Sequence, residues 1–328
     1  MAWVMMRAQG EKSLDVVGVG SWSNFDHLFV VERLPLPGDT VQITGPIELV
    51  ERIFFGGCAP NNVAAAARLG ARTGLIGVVG QDFVTRGYQA YFDQLDVNLN
   101  GAILVPEGLC GHSFLYSEPD GKSVCLSHLG AAARQEEYEP NAEVLEQTKV
   151  AVINYRFDRF TLCAAQLVRN AGGIVIASGA VMTAPDYADA ICRTTHLLIC
   201  TEHELQQLIT FLGLDNRSSL FGLGIRAIIA TRGTLGSQII TPNDAIDIPI
   251  VLAERVVDPT GAGDGFVGGV AFGIAAGYSL EDSARFGAVV ASFVVEAWGC
   301  QTNLPTFARA AERYIASFSA LPVPESPT

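Results

Sequence analysis

The chain has 328 residues and a formal net charge of −13. Apolar residues make up 49% and charged residues 17%, which excludes a disordered chain. The acidic balance disfavours a broad nucleic-acid surface, which needs a basic stripe, but leaves room for a local phosphate cradle of backbone N–H groups. Length predicts one large domain whose core needs no disulfides. Cys58, Cys110, Cys125, Cys163, Cys192, Cys200 and Cys300 are odd in number and form no Cys-x-x-Cys pair. That argues against a disulfide framework or zinc ribbon and points to a reducing, cytoplasmic setting.

Residues 1–12 lack the basic-then-apolar order of a signal peptide and read as a loose arm. The run from Asp15 to Gly20 is a strand ending in glycine and small polar residues. Asn24 stands where a dinucleotide fingerprint wants its third glycine, so a Rossmann reading fails. Asp26, just past that strand, is placed to grip a diol, or is simply solvated.

Residues 25–55 are strand-like, with turn signals at Pro35, Pro37 and Gly38. Gly56-Gly57-Cys58-Ala59-Pro60-Asn61-Asn62 then opens an Ala-rich helix ending at Gly70. The glycine pair admits a ligand close to the backbone, and Asn61 or Asn62 can bond sugar hydroxyls. An ordinary strand–turn–helix junction reads the same way. Residues 102–128 hold two β-rich runs around Pro119-Asp120-Gly121, a hairpin signal. Together, 25–55 and 102–128 predict a small separate sheet acting as a lid, or else an edge extension of the main sheet.

From residue 150 onward the pattern is regular. Strands are predicted at 150–153, 173–177, 196–199 and 226–230, with helices at 159–170, 184–192 and 202–211 between them. Three helices follow, near 263–277, 280–298 and 306–317. The alternation predicts a doubly wound α/β fold, a mostly parallel sheet with helices on both faces. The uncharged stretch 265–280 carries five glycines and falls short of the ~20 apolar residues of a membrane span. The Pro-rich residues 321–328 read as a loose tail.

Asp258-Pro259-Thr260-Gly261-Ala262-Gly263-Asp264 carries the strongest chemical signal. Gly261, Ala262 and Gly263 leave N–H groups open at a helix N-terminus, an anion cradle. Asp264 there either accepts a proton from a hydroxyl attacking phosphorus, or caps the helix. No Gly-Lys-Ser/Thr follows, so this is not a Walker A loop. The five histidines have no metal-ligand spacing, and no Gly-x-Ser-x-Gly elbow occurs. Arg156 follows the end of a parallel strand, where a guanidinium suits an anionic acceptor group; the alternative is a pair with Asp158.

Taken together, the runs at 56–61 and 258–264 resemble those of the ribokinase-like carbohydrate kinases, the phosphofructokinase-B family, which includes adenosine and other nucleoside kinases. The resemblance spans roughly 14–318 and implies a β-sheet lid on a doubly wound body, with dimers formed through the lid in several members. It implies ATP as donor, Mg²⁺, and often K⁺. It casts Asp264 as base and Gly261, Ala262 and Gly263 as anion hole. Asp26, Gly57 and Asn61 match sugar-binding positions, and Thr231 and Gly233 a loop along the nucleotide. Glu204 matches the glutamate of an Asn-x-x-Glu motif whose Asn is Thr201 here. Asp258 and Thr260, with the backbone near Gly299 and Asn303, match a monovalent-cation site. The expectation is therefore an ATP-dependent kinase of a sugar hydroxyl, or else of a nucleoside, the lid aromatics Phe25, Phe29 and Phe114 being candidates to clamp a base. A non-catalytic binding member of the fold and a purely structural subunit are the rivals that Asp264 speaks against. Partners are a small sugar or nucleoside and a second copy of the chain, with no nucleic acid and no membrane.

Overall fold

A computed structural model of the protein describes residues 11–20 and 24–324. Most of the arm (1–10), the end of the tail (325–328) and Ser21, Trp22 and Ser23 lie outside the described residues. The inner end of the arm is not loose. Lys12 is buried and its Nζ donates to the carbonyls of Glu146 and Ala171.

The chain runs through β1 (Leu14–Val19), β2 (Phe25–Val30), α1 (Ile47–Glu51), β3 (Phe54–Phe55), α2 (Cys58–Arg68) and β4 (Thr73–Gly80). Next come α3 (Asp82–Thr85), α4 (Tyr88–Gln94), β5 (Asn98–Val105), β6 (His112–Ser117), β7 (Ser123–His128) and α5 (Ala142–Glu146). The regular part holds β8 (Thr148–Asn154), α6 (Arg159–Asn170), β9 (Ile174–Ser178), α7 (Ala188–Thr194), β10 (Leu197–Thr201), α8 (Glu202–Phe211) and β11 (Ala227–Thr231). It closes with β12 (Ser237–Ile240), β13 (Ala245–Ile248), α9 (Ala262–Ala275), α10 (Leu280–Val294) and α11 (Phe307–Phe318). Helix starts follow their caps: Asp158, Thr201, Ser279 and Thr306 each accept a bond from the first turn of α6, α8, α10 and α11.

Nine strands form one sheet in the order β13-β12-β11-β10-β9-β8-β1-β4-β5. All pairs are parallel except β11–β12 and β12–β13. Side-chain alternation splits the core: Val16 faces one cluster with α2, α9 and α10, while Val17 and Val19 face the other with α6, α7 and α8. The strand order reverses beside β1, between β8 and β4, and the crevice at such a reversal is where doubly wound sheets hold ligands.

A second sheet, β3-β2-β6-β7, stands apart from the first and is therefore not an edge extension of it. Its extent is smaller than expected. Residues 102–105 belong to β5 and pair with β4 at the edge of the main sheet, because Val105 and Ile103 have Val78 and Ala131 to pack against. Between β2 and β3 the chain is mostly loop plus the unexpected α1; prolines and glycine at 35–38 cannot sustain a strand. The Pro119-Asp120-Gly121 turn forms as read, with Gly121 at φ +91°. The short antiparallel β12 and β13 were not anticipated. Helix α10 stops at Val294 rather than 298, because the Val295 carbonyl turns to accept from Val257 and Asp258. That turn brings residues 295–303 against the 258–264 loop.

Candidate active site

The site is made where two helix N-termini meet. Gly57 precedes α2 and Gly261 precedes α9, both glycines at positive φ. The helices touch closely because position 268 has no side chain: a Cβ there would lie 2.7 Å from the Ala65 Cβ and 2.8 Å from the Asn62 carbonyl. This approach sets Asn61 and Asn62 beside the first turn of α9. Asn61 Nδ2 donates to Asp264 Oδ2 (2.8 Å), and Asn62 Nδ2 to the Asp264 carbonyl (2.8 Å). Asp264 makes no cap bond to its own helix, whose N-cap is Gly261. Asn61 is itself fixed, since Gln301 Nε2 donates to its Oδ1 at 2.7 Å and to the Tyr88 hydroxyl at 2.5 Å. The Tyr88 hydroxyl donates to the Gly56 carbonyl.

Asp264 faces a cavity of about 490 Å³ between this floor and the lid. Its walls include Asp26, Gly57, Cys58, Asn61, Thr260, Gly261, Gly263, Cys300 and Tyr155. The structure thus gathers seven of the sequence-predicted residues into one cleft, with Ala262 in the same turn. From the lid come Ser113, Leu115, Cys125 and Ser127, and the register explains why. Asp26 pairs with Ser113, and Ser113 with Ser127, so all three share a face. The aromatics Phe25, Phe29 and Phe114 alternate to the opposite face, where Phe114 stacks on His27 and Phe29 on Tyr116. They do not line the cavity, and the expected base clamp is not formed by them.

Burial dominates the electrostatics. Asp26 is 5% exposed, and desolvation, with the Cys300 thiol bond opposing and Asp264 and Asp258 adding repulsion, raises its carboxyl to about 7. Room for it exists because Gly56 has no side chain; a Cβ there would lie 2.0 Å from Asp26 Oδ2. Burial also raises Asp264, against the bonds from Asn61 and Cys58. A carboxylate with a raised pKa is better matched to taking a proton near neutral pH. The Cys58 and Cys300 thiols are pushed up by burial and stay protonated.

One consequence concerns stability. The folded protein holds the Asp26 proton to about 7, whereas the unfolded chain releases it near 3.8. Folded Asp26 therefore binds the proton more tightly, and its burial costs stability progressively as pH rises through that window. Asp26→Asn is expected to melt above wild type at about pH 8, with the gap closing toward about pH 4. Thermal melts across that range check it; a gap that does not change with pH contradicts it.

A second group sits at the adjacent ends of β10 and β11. Thr201 and Glu204 form a reciprocal capping box: Glu204 N donates to Thr201 Oγ1, and Thr201 N and Oγ1 donate to Glu204 Oε2. Thr231 pairs in register with Thr201, and Gly233 lies in the exposed turn beyond. The Tyr155 hydroxyl donates to Glu204 Oε1 at 3.2 Å, linking this group to the cavity.

Of the expected cation set, three residues come together. Asp258 is 2% exposed; its Oδ1 accepts from Thr260 N (2.9 Å) and its Oδ2 from Gly299 N (3.2 Å). Asn303 does not line the cavity, and its side-chain amide donates to the Phe293 carbonyl and to Glu296. Arg156 does not line the cavity either. It pairs with Asp158 (Nε to Oδ2, 3.1 Å) and donates to the Ala133 carbonyl, the arrangement its short distance to Asp158 in sequence allowed. Among the described residues no group of three His, Cys, Asp or Glu side chains is arranged to hold a metal ion, and no helix is long and apolar enough to cross a membrane.

Tyr155, Cys58, Cys300, Gln301 and the lid hydroxyls were not singled out from sequence. Cys58 lies inside the quoted glycine–asparagine run and Tyr155 one residue past a strand, so both carried a signal. Gln301 carried none, since it reaches Asn61 across 240 residues.

The family model described as pfkB family carbohydrate kinase matches residues 50–307. A nucleoside kinase of Methanocaldococcus jannaschii is 32% identical over 292 residues, covering 88% of this chain and 93% of that protein. The ribokinase of Mus musculus is 25% identical over 308 residues, covering 90% and 94%. The crystal structure of the M. jannaschii nucleoside kinase, described as an archaeal member of the ribokinase family, superposes with a TM-score of 0.82 at 30% identity. It covers 94% of this chain and all of that one.

Proposed function

The chain belongs to the pfkB family of carbohydrate kinases, ATP-dependent phosphotransferases with an alcohol acceptor, and from that premise we propose that its acceptor is a nucleoside hydroxyl. The observation that carries the chemistry is Asp264, held by Asn61 at the head of α9 and sharing one cleft with Asp26. Asp26 and Asn61 bind and orient the acceptor's hydroxyls. Asp264 takes the proton of the attacking hydroxyl. The N–H groups of the turn at Gly261, Ala262 and Gly263 meet the charge on the moving phosphoryl group, helped by the α9 dipole. Thr231 and Gly233 lie along the donor.

The nucleoside choice is supported by the M. jannaschii enzyme, similar over nearly the full length of both chains. A second reading, a free sugar such as ribose, is favoured by the lid's cavity face, which offers hydroxyls, a thiol and Leu115 but no ring. Initial rates with ATP over purine and pyrimidine nucleosides and ribose separate them. The nucleoside reading expects the best nucleoside to exceed ribose by roughly tenfold or more in kcat/KM, about one good contact set; ribose as the best acceptor overturns it.

Magnesium bound with ATP would neutralise charge on its terminal phosphates. Glu204 is the residue suited to hold it through water, because neutral groups of Thr201 and Tyr155 donate to its carboxylate. A monovalent cation suits the neighbourhood of Asp258, a buried carboxylate that accepts from two backbone N–H groups. Potassium is expected to raise turnover severalfold over a bulky organic cation at constant magnesium, and to raise the melting temperature without substrates. Equal rates and melts in both salts remove this site.

A further inference from the structure

We infer that Tyr155 is a positioning residue of the acceptor cavity: its ring, clamped between Gly179 and Glu204, is the wall that keeps water from the acceptor hydroxyl's place. The inference rests on the kinase reading above. Tyr155 follows β8 at the strand-order reversal, and its φ of +36° is one a bulky residue avoids. Among the described residues the other non-glycines at positive φ are Asp96 and Ser319, neither of which lines the cavity. Such a conformation persists only where the surroundings hold it. Behind the ring stands Gly179; a Cβ there would lie 2.8 Å from ring atoms Cε2 and Cζ, so only glycine leaves the space. At the tip, the hydroxyl donates to Glu204, whose other oxygen is already fixed by Thr201. Burial, with Glu204 next, pushes the phenol above its ordinary range, so the donor proton stays. Tyr155 as a residue is 37% exposed and borders the cavity that holds Asp264 and Cys58.

A ring this constrained has one consequence for the reaction. With it in place, the space above Asp264 is filled by the acceptor. Without it, water enters from the α8 side. The water oxygen then bonds to the γ-phosphorus, the bond to the ADP oxygen breaks, and Asp264 takes the proton, giving ADP and phosphate with no product.

The test uses Tyr155→Asn and Tyr155→Phe in the full chain. Asn accepts positive φ, so the backbone is not further strained, and melting curves confirm folding. ADP and phosphorylated acceptor are measured separately at saturating nucleoside. Wild type is expected to form them in equal amounts. The Asn variant should raise ADP per product on the order of tenfold, as an opened site admits the competing nucleophile. The Phe variant, which keeps the ring, should restore the ratio to near that of wild type. An unchanged ratio in the Asn variant, or Phe as uncoupled as Asn, overturns the inference while leaving the kinase reading intact. Wild type that phosphorylates no acceptor overturns both.

Discussion

Asp264→Asn is expected to lower kcat by about 10²–10⁴-fold, the usual worth of a positioned acid–base group, while ATP still binds. The variant keeps the shape of the side chain and its bond to Asn61, because an amide oxygen can accept from Nδ2 as the carboxylate does. What it removes is the proton acceptor. It also removes a negative charge at the mouth of the N–H cradle made by Gly261, Ala262 and Gly263, so ATP affinity should hold or rise slightly. A helix cap would behave otherwise: Asn caps as well as Asp, and turnover would stay near wild type. Steady-state rates at saturating substrates and ATP binding by calorimetry check both halves. Turnover above about a tenth of wild type, well outside the range for a lost base, would contradict the assignment.

The second large effect is on acceptor binding. Asp26→Asn should raise the acceptor KM roughly 10–100-fold, since a hydrogen bond to a charged group contributes about 1.5–3 kcal/mol. The ATP KM should change little, because the residues proposed for the donor side, Thr201, Glu204, Thr231 and Gly233, sit at other strand ends. The same variant is expected to be the more stable protein above neutral pH, as the buried charge is gone. Higher stability with weaker acceptor binding is the signature of a carboxylate kept for function rather than for folding. A KM within about twofold of wild type, smaller than one such bond, would remove Asp26 from the acceptor site.

What could be read from the chain was what lies close together along it. The glycine-rich turn at 261–263, the Gly-Gly-x-x-x-Asn run and the alternating strands and helices after residue 150 are local patterns, and local geometry follows from them. Asp26 needed more: it reaches the cavity because β2 pairs with β6 and Gly56 leaves it room. Which face of a lid strand meets the cavity is a matter of register, and one residue of shift exchanges the serines for the aromatics. That is why Phe25, Phe29 and Phe114 were attractive in sequence and lie on the far face. Residues 102–105, the end of β5, read as part of the lid because a β-rich run does not say which sheet it joins. Gln301, Tyr88 and Cys300 act through partners far away in the chain, whereas Arg156 takes the Asp158 partner that the sequence already offered as the alternative.

The proposed reaction moves a phosphoryl group from ATP to an acceptor hydroxyl in this cleft, with Asp264 as the base. The most direct measurement incubates ATP with a panel of nucleosides and sugars, using wild type and Asp264→Asn side by side, and resolves ADP and phosphorylated acceptor. Wild type is expected to form a phosphorylated acceptor with matching ADP, and the variant nearly none. ATP left intact across the whole panel, or product formed by the variant at the wild-type rate, would contradict it.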